Sequence, residues 1–368
     1  MTFVHNHLAT SPRPVSRPAS GGEGIEGVQY LDPTVDARWD LMIASFPTAS
    51  FFQSSSWARV LCASYNYRPY YVANTLGGIY SLIPLMEVES WVTGRRGISL
   101  PFTDECNPLC PNSDSFQKVF RDAQTLAIMH SWRYLECRGG GEWLNGAAAS
   151  ESFFGHRLDL RDAEGYIFNR LEGGTRGAIA KASRSGLIVE FSQSIEDIFT
   201  FYDLMCKTRR RQGLPPQPYK FFKNIHRYIL SSNQGCIALA LLEGKPIAGA
   251  IFLHFRKITI YKFAASEEKF RSLCPNNLVL WEAILWHQKR GFDLLEFGRT
   301  AVNNHGLRKF KLSWSPIEYK IEYFRYYIQS MNFGKSKECS FMRAHSIFKL
   351  LPTPLSKMAG AALYRHVA

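Results

Sequence analysis

From Val28 onward the apolar positions of this chain follow two rhythms, and the switches between them mark the predicted elements. Trp57, Val60 and Leu61 are spaced three and four apart behind a run of serines, which predicts a capped helix start near residue 55. Short β-branched and aromatic runs at 69–73, 78–86 and 97–102, punctuated by Gly and Pro, predict consecutive antiparallel strands. A helix over 114–130 and a strand over 133–138 follow, closed by Gly139, Gly140 and Gly141. The second half predicts helices at 194–211 and 219–231, then strands at 236–242 and 247–255 around a turn at 243–246. A strand at 257–265, a long helix at 277–290 and a strand at 293–297 complete it. Each half thus carries an antiparallel meander, a helix and a further strand, an architectural repeat without residue identity. The expected fold class is α/β (α+β), with two lobes at 28–165 and 166–332. Each lobe is expected to be a mixed, largely antiparallel sheet of its own with flanking helices.

Length agrees, because 368 residues exceed the usual size of one hydrophobic core. Residues 1–27 carry almost no apolar surface to offset ordering entropy and are expected to be a disordered tail. They hold no apolar stretch of signal-peptide kind, and no run approaches the ~18 apolar residues of a bilayer span. The expected location is therefore cytoplasmic. The eight cysteines are scattered, and Cys106 and Cys110 form the one close pair, so no metal site is expected.

The net charge of +13 points to polyanions: tRNA, an anionic lipid surface or a diphosphate-linked substrate, with no DNA expected. Residues 333–368 interleave Lys335, Lys337, Arg343, Lys349, Lys357 and Arg365 with apolar residues. This segment can lie at the inner face of an anionic membrane, or it can pack its apolar residues back onto the first lobe.

Four stretches bear on chemistry. They are the basic run Arg176 to Leu187, with Lys181 and Arg184; the run from Phe201 through Arg209, Arg210 and Arg211 to Pro215; the pair Phe221 and Phe222; and Leu294 to Thr300 followed by Gly306, Phe310, Lys311 and Trp314. Together with Leu82 to Leu85 and Ser99 to Phe102 they resemble the FemAB-like branch of the GNAT acyltransferase superfamily. That branch comprises the peptidoglycan-bridge aminoacyltransferases and their relatives in exopolysaccharide systems. The resemblance covers about residues 45–320. The chain departs from it at Ala180, where the family usually has Arg, at Ser315, commonly Gly, and at Asn107 and Pro108, often Gly-Gly.

The resemblance implies transfer of an activated acyl or aminoacyl group to an amine or hydroxyl of a cell-envelope glycan or peptidoglycan precursor, the acceptor being lipid- or nucleotide-linked. It places the reacting slot between the strands at 257–265 and 293–297. Lys311 is then the stabiliser of a tetrahedral oxyanion, and Arg299 forks onto a phosphate or carboxylate. Gly298 lets a ligand approach the backbone. Phe310 and Trp314 line the slot, and Arg176, Lys181 and Arg184 gather charge for a diphosphate-linked substrate. His305, between Arg299 and Lys311, is the candidate proton acceptor, whereas His254 lies in an apolar strand and reads as a core or surface histidine. The donor stays open between acyl-CoA and aminoacyl-tRNA. Residues 266–276 hold Glu267 and Glu268 and no glycine, unlike a loop that cradles pyrophosphate. Two other readings remain: a CoA-dependent N-acetyltransferase acting on a nucleotide sugar or small amine, and a non-catalytic scaffold binding a glycolipid or partner enzyme.

Overall fold

The computed structural model describes residues 29–76, 79–144, 146–335 and 345–366. The expected disordered tail, Lys337, Cys339 and Arg343 lie outside the described residues. Strands run in chain order as β1 (Gln29–Leu31), β2 (Arg68–Pro69), β3 (Tyr71–Leu76), β4 (Ile79–Ile83), β5 (Met86–Ser90), β6 (Gly94–Ile98), β7 (Tyr134–Arg138) and β8 (Glu151–Asp159). The second set is β9 (Ile188–Ser192), β10 (Gly235–Leu242), β11 (Lys245–Phe255), β12 (Ile258–Ser266), β13 (Leu294–Glu296), β14 (Thr300–Ala301), β15 (Ile317–Tyr327) and β16 (Asn332–Gly334). The helices are α1 (Trp39–Ala44), α2 (Ser55–Tyr65), α3 (Ser113–Met129), α4 (Glu164–Arg170), α5 (Gly173–Arg184) and α6 (Ile195–Arg211). They continue with α7 (Tyr219–Tyr228), α8 (Pro275–Gln288), α9 (His305–Leu312), α10 (His345–Leu350) and α11 (Thr353–Leu363).

The helix starts follow the side chains that satisfy free backbone donors. Ser54 accepts from Trp57 N to open α2, Asn112 from Ser115 N to open α3, and Ser194 from Asp197 N to open α6. Strand boundaries depart further from expectation. The run at 78–86 breaks at Pro84, which has no donor for a ladder, and β5 begins at Met86. The run expected at 97–102 ends at Ile98, because Leu100 and Phe102 adopt left-handed backbone conformations (φ 60° and 61°).

Among the described residues one sheet of 13 strands runs through both halves, in the order β2-β5-β6-β7-β15-β8-β13-β12-β11-β10-β9, with β14 on β8 and β16 on β15. Strands β1, β3 and β4 form a separate small sheet. The mixed α/β fold with flanking helices stands, but the expectation that each lobe closes its own sheet is corrected. Sequence reasoning missed β8 and β15, which fill the space between the edges of β7 and β13 and pair with each other from Ile317↔Arg157 to Tyr323↔Glu151. Without them both edges would leave backbone groups unpaired inside the molecule. Glu136 on β7 anchors the join. It accepts from Arg138 at 2.8 Å and from Arg325 on β15 at 2.5 Å. Burial alone would raise its carboxyl, but the two guanidiniums win and hold it at about 2.

The architectural repeat survives inside the common sheet. The units β6-α3-β7 and β12-α8-β13 each contain a parallel pair, Gly97↔Leu135 with Ile98↔Glu136, and Ile258↔Leu294 through Ile260↔Glu296. Among the described residues all other strand pairings are antiparallel. Both parallel pairs are short and then part. In the first half the gap is closed by the chain itself, since Ser99 N donates to Glu136 O and Cys106 pairs with Arg138. In the second half it stays open.

One buried cluster crosses the halves and joins Trp57, Val60 and Leu61 of α2 to Phe201 of α6 and Phe221 and Phe222 of α7. The basic C-terminal segment packs inward in part: Gly360 of α11 sits on the Pro216 carbonyl, Lys357 pairs with Asp203, and Arg96 donates to His366 O at 2.7 Å. Leu350, Leu355 and Met358 face outward.

Gly97 is a point where sequence and packing meet sharply, because a Cβ there would lie 2.1 Å from the buried Trp132 ring. Gly97→Ala should destabilise the protein by about 1–3 kcal/mol through overpacking. In urea unfolding this reads as a lower midpoint with unchanged slope.

Candidate functional site

The open gap begins where β12 and β13 part, after Ile260 and Glu296. Tyr261 to Ser266 of β12 form one wall and Phe297, Gly298 and Arg299 the other, around a cavity of about 380 Å³. Helix α9 closes a third side. Asn304 caps it by accepting from Leu307 N at 3.1 Å, and Leu307, Phe310 and Lys311, at spacings of three and four, turn toward the cavity. The last turn of α6 contributes Arg209 and Arg211.

The floor is built around a carboxylate from the other half of the chain. Asp104 lies in the loop after β6 and accepts from Lys262 Nζ at 2.7 Å and from Arg299 N at 3.3 Å. A Cβ on Gly298 would come within 3.2 Å of that carboxylate, and its φ of +67° is unfavourable for any side chain. Tyr323 of β15 locks the loop by donating to Asp104 O at 2.7 Å while accepting from Arg299 Nη1 at 2.8 Å. Burial alone would raise the Asp104 carboxyl, but Lys262 and then Arg299 outweigh it and hold it below the usual range.

Lys311 is 3% exposed and donates to Gly298 O at 2.9 Å and Arg299 O at 3.2 Å. An ammonium has three donors, so one remains for a group in the cavity it lines. Burial pushes it down to about 8, Asp104 opposes that shift, and Lys262 adds to it. Lys262 is lowered as well, by burial, with Asp104 again opposing. Among the described residues lining the cavity, five are cationic (Arg209, Arg211, Lys262, Arg299, Lys311) and Asp104 is the one acid. Such a cleft draws in anions and can stabilise negative charge developing on a tetrahedral centre.

The other expected residues lie as follows. Gly298, Arg299, Phe310 and Lys311 line the cavity together. Trp314 is fully buried in the core beneath α9. His305 is exposed on the first turn of α9 and does not line the cavity. Arg176, Lys181 and Arg184 lie on α5, which packs on α8; they do not line the cavity, and Arg176 donates to Asn169 O. Sequence reasoning missed Asp104, Lys262 and Tyr323, whose signal was at most a charged residue inside each of two apolar stretches. It also missed His156, a buried histidine that donates from Nε2 to the Glu318 carboxylate at 3.0 Å and is held low by burial and by the charge of Lys311. The segment after β12 is a 3-10 turn, Glu268–Leu273, with Arg211 paired to Glu268 and Lys207 to Glu267.

With this geometry in view, a family model described as an acetyltransferase (GNAT) domain matches residues 171–312. The chain carries a GNAT domain. Its fold is that of FemX, with a TM-score of 0.64 at 14% identity over 80% of this chain and 96% of FemX. Two further structures are similar. L-PGS from Bacillus licheniformis has a TM-score of 0.53 at 12% identity over 91% of this chain and 98% of its own. A tandem GNAT protein from the clavulanic acid biosynthesis pathway has a TM-score of 0.51 at 10% identity over 84% and 100%. No curated protein matches the sequence. The parting strands β12 and β13 therefore belong to a GNAT-type acyltransferase domain, and no helix among the described residues is long and apolar enough to cross a membrane.

If Lys311 acts as a cation on the reaction, turnover should fall as pH rises through about 8, where the ammonium is lost. Stability carries the opposite sign. An unfolded lysine keeps its proton up to about 10.5, so between about 8 and 10.5 the folded chain binds fewer protons, and this residue's contribution to stability rises with pH. Lys311→Met should lower kcat by roughly 100–1000-fold. Its folding free energy at pH 7 should change by no more than about 1 kcal/mol, because relief of a buried charge offsets two lost hydrogen bonds. Steady-state kinetics beside urea unfolding checks both.

Proposed function

We propose that the protein is a FemAB-like acyl- or aminoacyltransferase that moves an activated acyl group onto an amine or hydroxyl of a cell-envelope glycan or peptidoglycan precursor, in exopolysaccharide or peptidoglycan synthesis. The observation that carries this reading is the cavity between β12 and β13, where five cations surround one carboxylate and Lys311 holds a free donor. Both partners of such a reaction are polyanionic: the acceptor is carried on a diphosphate, and the donor on CoA or tRNA. A cleft of this charge holds them against a cation placed to receive the oxyanion.

The reaction joins the acceptor nitrogen or oxygen to the donor carbonyl carbon through a tetrahedral intermediate. Lys311 stabilises the oxyanion, and the acceptor proton leaves with the departing carrier group, directly or through the substrate's own phosphate. Asp104, held ionised by Lys262, positions the cations and is not the proton acceptor. Arg176, Lys181 and Arg184 of α5 and His305 of α9, which do not line the cavity, bind parts of a long acceptor that extend beyond it. Phe310 contacts the substrate, and Trp314 supports it from beneath.

The 3-10 turn Glu268–Leu273, in place of a glycine-rich loop, favours aminoacyl-tRNA as the donor. The solved structure of a C-terminal domain named putative lysylphosphatidylglycerol synthetase, from Agrobacterium fabrum, shares the fold at a TM-score of 0.51 and 14% identity over 77% of this chain and 91% of its own. Its name supports an aminoacyl rather than an acetyl group. A second reading, a CoA-dependent N-acetyltransferase, rests on the acetyltransferase family match at 171–312. Outward-facing Leu350, Leu355 and Met358 beside Lys349 support working at the inner membrane face on a lipid-linked acceptor.

Mass spectrometry of the lipid-linked and nucleotide-linked sugar pools, with and without the gene, tests this. The expected result is one precursor that gains the mass of an acyl or aminoacyl group only when the gene is present. Identical pools, together with no transfer by the purified protein from either acyl-CoA or aminoacyl-tRNA, would leave the chain as a binding scaffold.

A further inference from the structure

On the opposite face of the GNAT half from α6, three side chains remote in sequence converge. The β10–β11 register places Cys236 opposite Phe252, so Cys236 and His254, two residues further on, share one face. His287, in the last turn of α8, packs onto that face. His254 Nε2 and His287 Nε2 lie 2.8 Å apart, with Cys236 Sγ at 3.8 and 3.9 Å from them. Their ligand atoms all fall within 4.8 Å of one another. We propose that Cys236, His254 and His287 form a zinc site that clamps the C-terminal end of α8 to the β10–β11 hairpin.

The hydrogen bonds around His287 argue for a cation more than for a histidine pair. Its Nδ1 lies 2.6 Å from Ala283 O, a carbonyl that can only accept, so the ring proton is on Nδ1 and Nε2 is bare. That single lone pair faces His254 Nε2 at 2.8 Å and Thr259 Oγ1 at 3.0 Å, and it cannot accept fully from both. A metal at the centre uses the lone pairs of both imidazoles and the thiolate and releases Thr259. The Nδ1–H donated to a backbone carbonyl is the arrangement that orients a metal-binding imidazole. His254 has a backbone hydrogen bond of its own, to Asn233.

The distances fit. Zinc binds nitrogen at about 2.0–2.1 Å and thiolate at about 2.3 Å, and one point satisfies all three to within about 0.2 Å. Opening the nitrogen pair by about half an ångström brings the N–Zn–N angle to the tetrahedral value, and a shift of the sulfur of a few tenths of an ångström toward the nitrogens does the same for the S–Zn–N angles. A surface cavity of about 430 Å³, which Cys236 and His254 line with Ser192, Gln193, Asn233 and Arg290, gives an ion its path and a water its place at the fourth position. Metal binding displaces the Cys236 thiol proton to solvent and forms the S–Zn bond. Arg290 lies over the Trp286 ring at 3.5 Å and opposes a cation here, and the Cys236 thiolate offsets that charge. The spacing of 18 and 33 residues between ligands matches no short metal motif.

The test uses the full chain, freed of metal by chelator and titrated with cobalt(II) as a spectroscopic substitute for zinc. The expected result is one cobalt per chain with a thiolate-to-cobalt charge-transfer band and intense tetrahedral d–d bands, both abolished by zinc. Cys236→Ser should lose the charge-transfer band, and His254→Gln should weaken binding at least tenfold. A wild-type chain that shows no such band would establish a hydrogen-bonded histidine pair and overturn the proposal; a band that persists in Cys236→Ser would assign the metal to other thiols and do the same. Should either variant fail to fold, zinc on the wild-type chain should slow alkylation of Cys236 at least tenfold by peptide mass, and an unchanged rate would count equally against the site. These readouts are independent of acyl transfer.

Discussion

The cleft is held together by one buried ion pair that neither half of the chain could make alone. Lys262 comes from β12, Asp104 from the loop after β6, and they meet at 2.7 Å with side chains 6% and 16% exposed. Leaving an ammonium such as Lys262 buried without its anion would cost several kcal/mol, so the loop that carries Asp104 must be fixed before the cleft can exist. That explains the left-handed backbone at Leu100 and Phe102, each costing on the order of 1 kcal/mol or more, and the tyrosine from β15 that holds the loop's carbonyls. It also fits the glycine at 298, where a φ of +67° disfavours a side chain and a Cβ would crowd the carboxylate at 3.2 Å.

Seen this way, the two halves are unequal copies of one device. Each parts a short parallel pair of strands, but the first half fills its own gap and uses the filling segment to furnish the second half's gap. The continuous sheet through β15 and β8 is the mechanical counterpart of that dependence. Glu136, Arg138 and Arg325 stitch β7 to β15, and Tyr323 on the same strand reaches Asp104 and Arg299. A charge placed in one half therefore sets the behaviour of a lysine in the other.

Helices α2, α3, α6, α7 and α8, the β10–β11–β12 meander and the parallel unit around α8 were legible in the sequence because each carries its own apolar pattern, whereas short helices such as α1, α4 and α9 were not. The placing of Gly298, Arg299, Phe310 and Lys311 around one gap was legible through motif resemblance, and the cavity brings these four together. Two kinds of feature were not. Strand β15 alternates Ile317, Tyr319, Ile321 and Tyr323 with charged residues, a readable strand pattern, yet nothing local says that it bridges the halves. Strand β8, broken by Gly155 and carrying His156 and Arg157, has no clean alternation because its partners on both sides bury it unevenly. Asp104 and Lys262 belong to the second kind: their meaning lies in a contact 158 residues apart, which no spacing rule reports.

Lys311 is where the whole arrangement can be read in one number. A protein labelled with 13C at lysine Cε, assigned by loss of one signal in Lys311→Arg, allows its ammonium to be titrated directly by NMR. The structure predicts a midpoint of about 8 in the parent chain and a lower one in Asp104→Asn, because burial depresses the ammonium and Asp104 is the group that opposes the depression. A midpoint at the ordinary lysine value of about 10.5, unmoved by Asp104→Asn, would mean that Lys311 is solvated and uncoupled from the carboxylate, and the cleft as described would not exist.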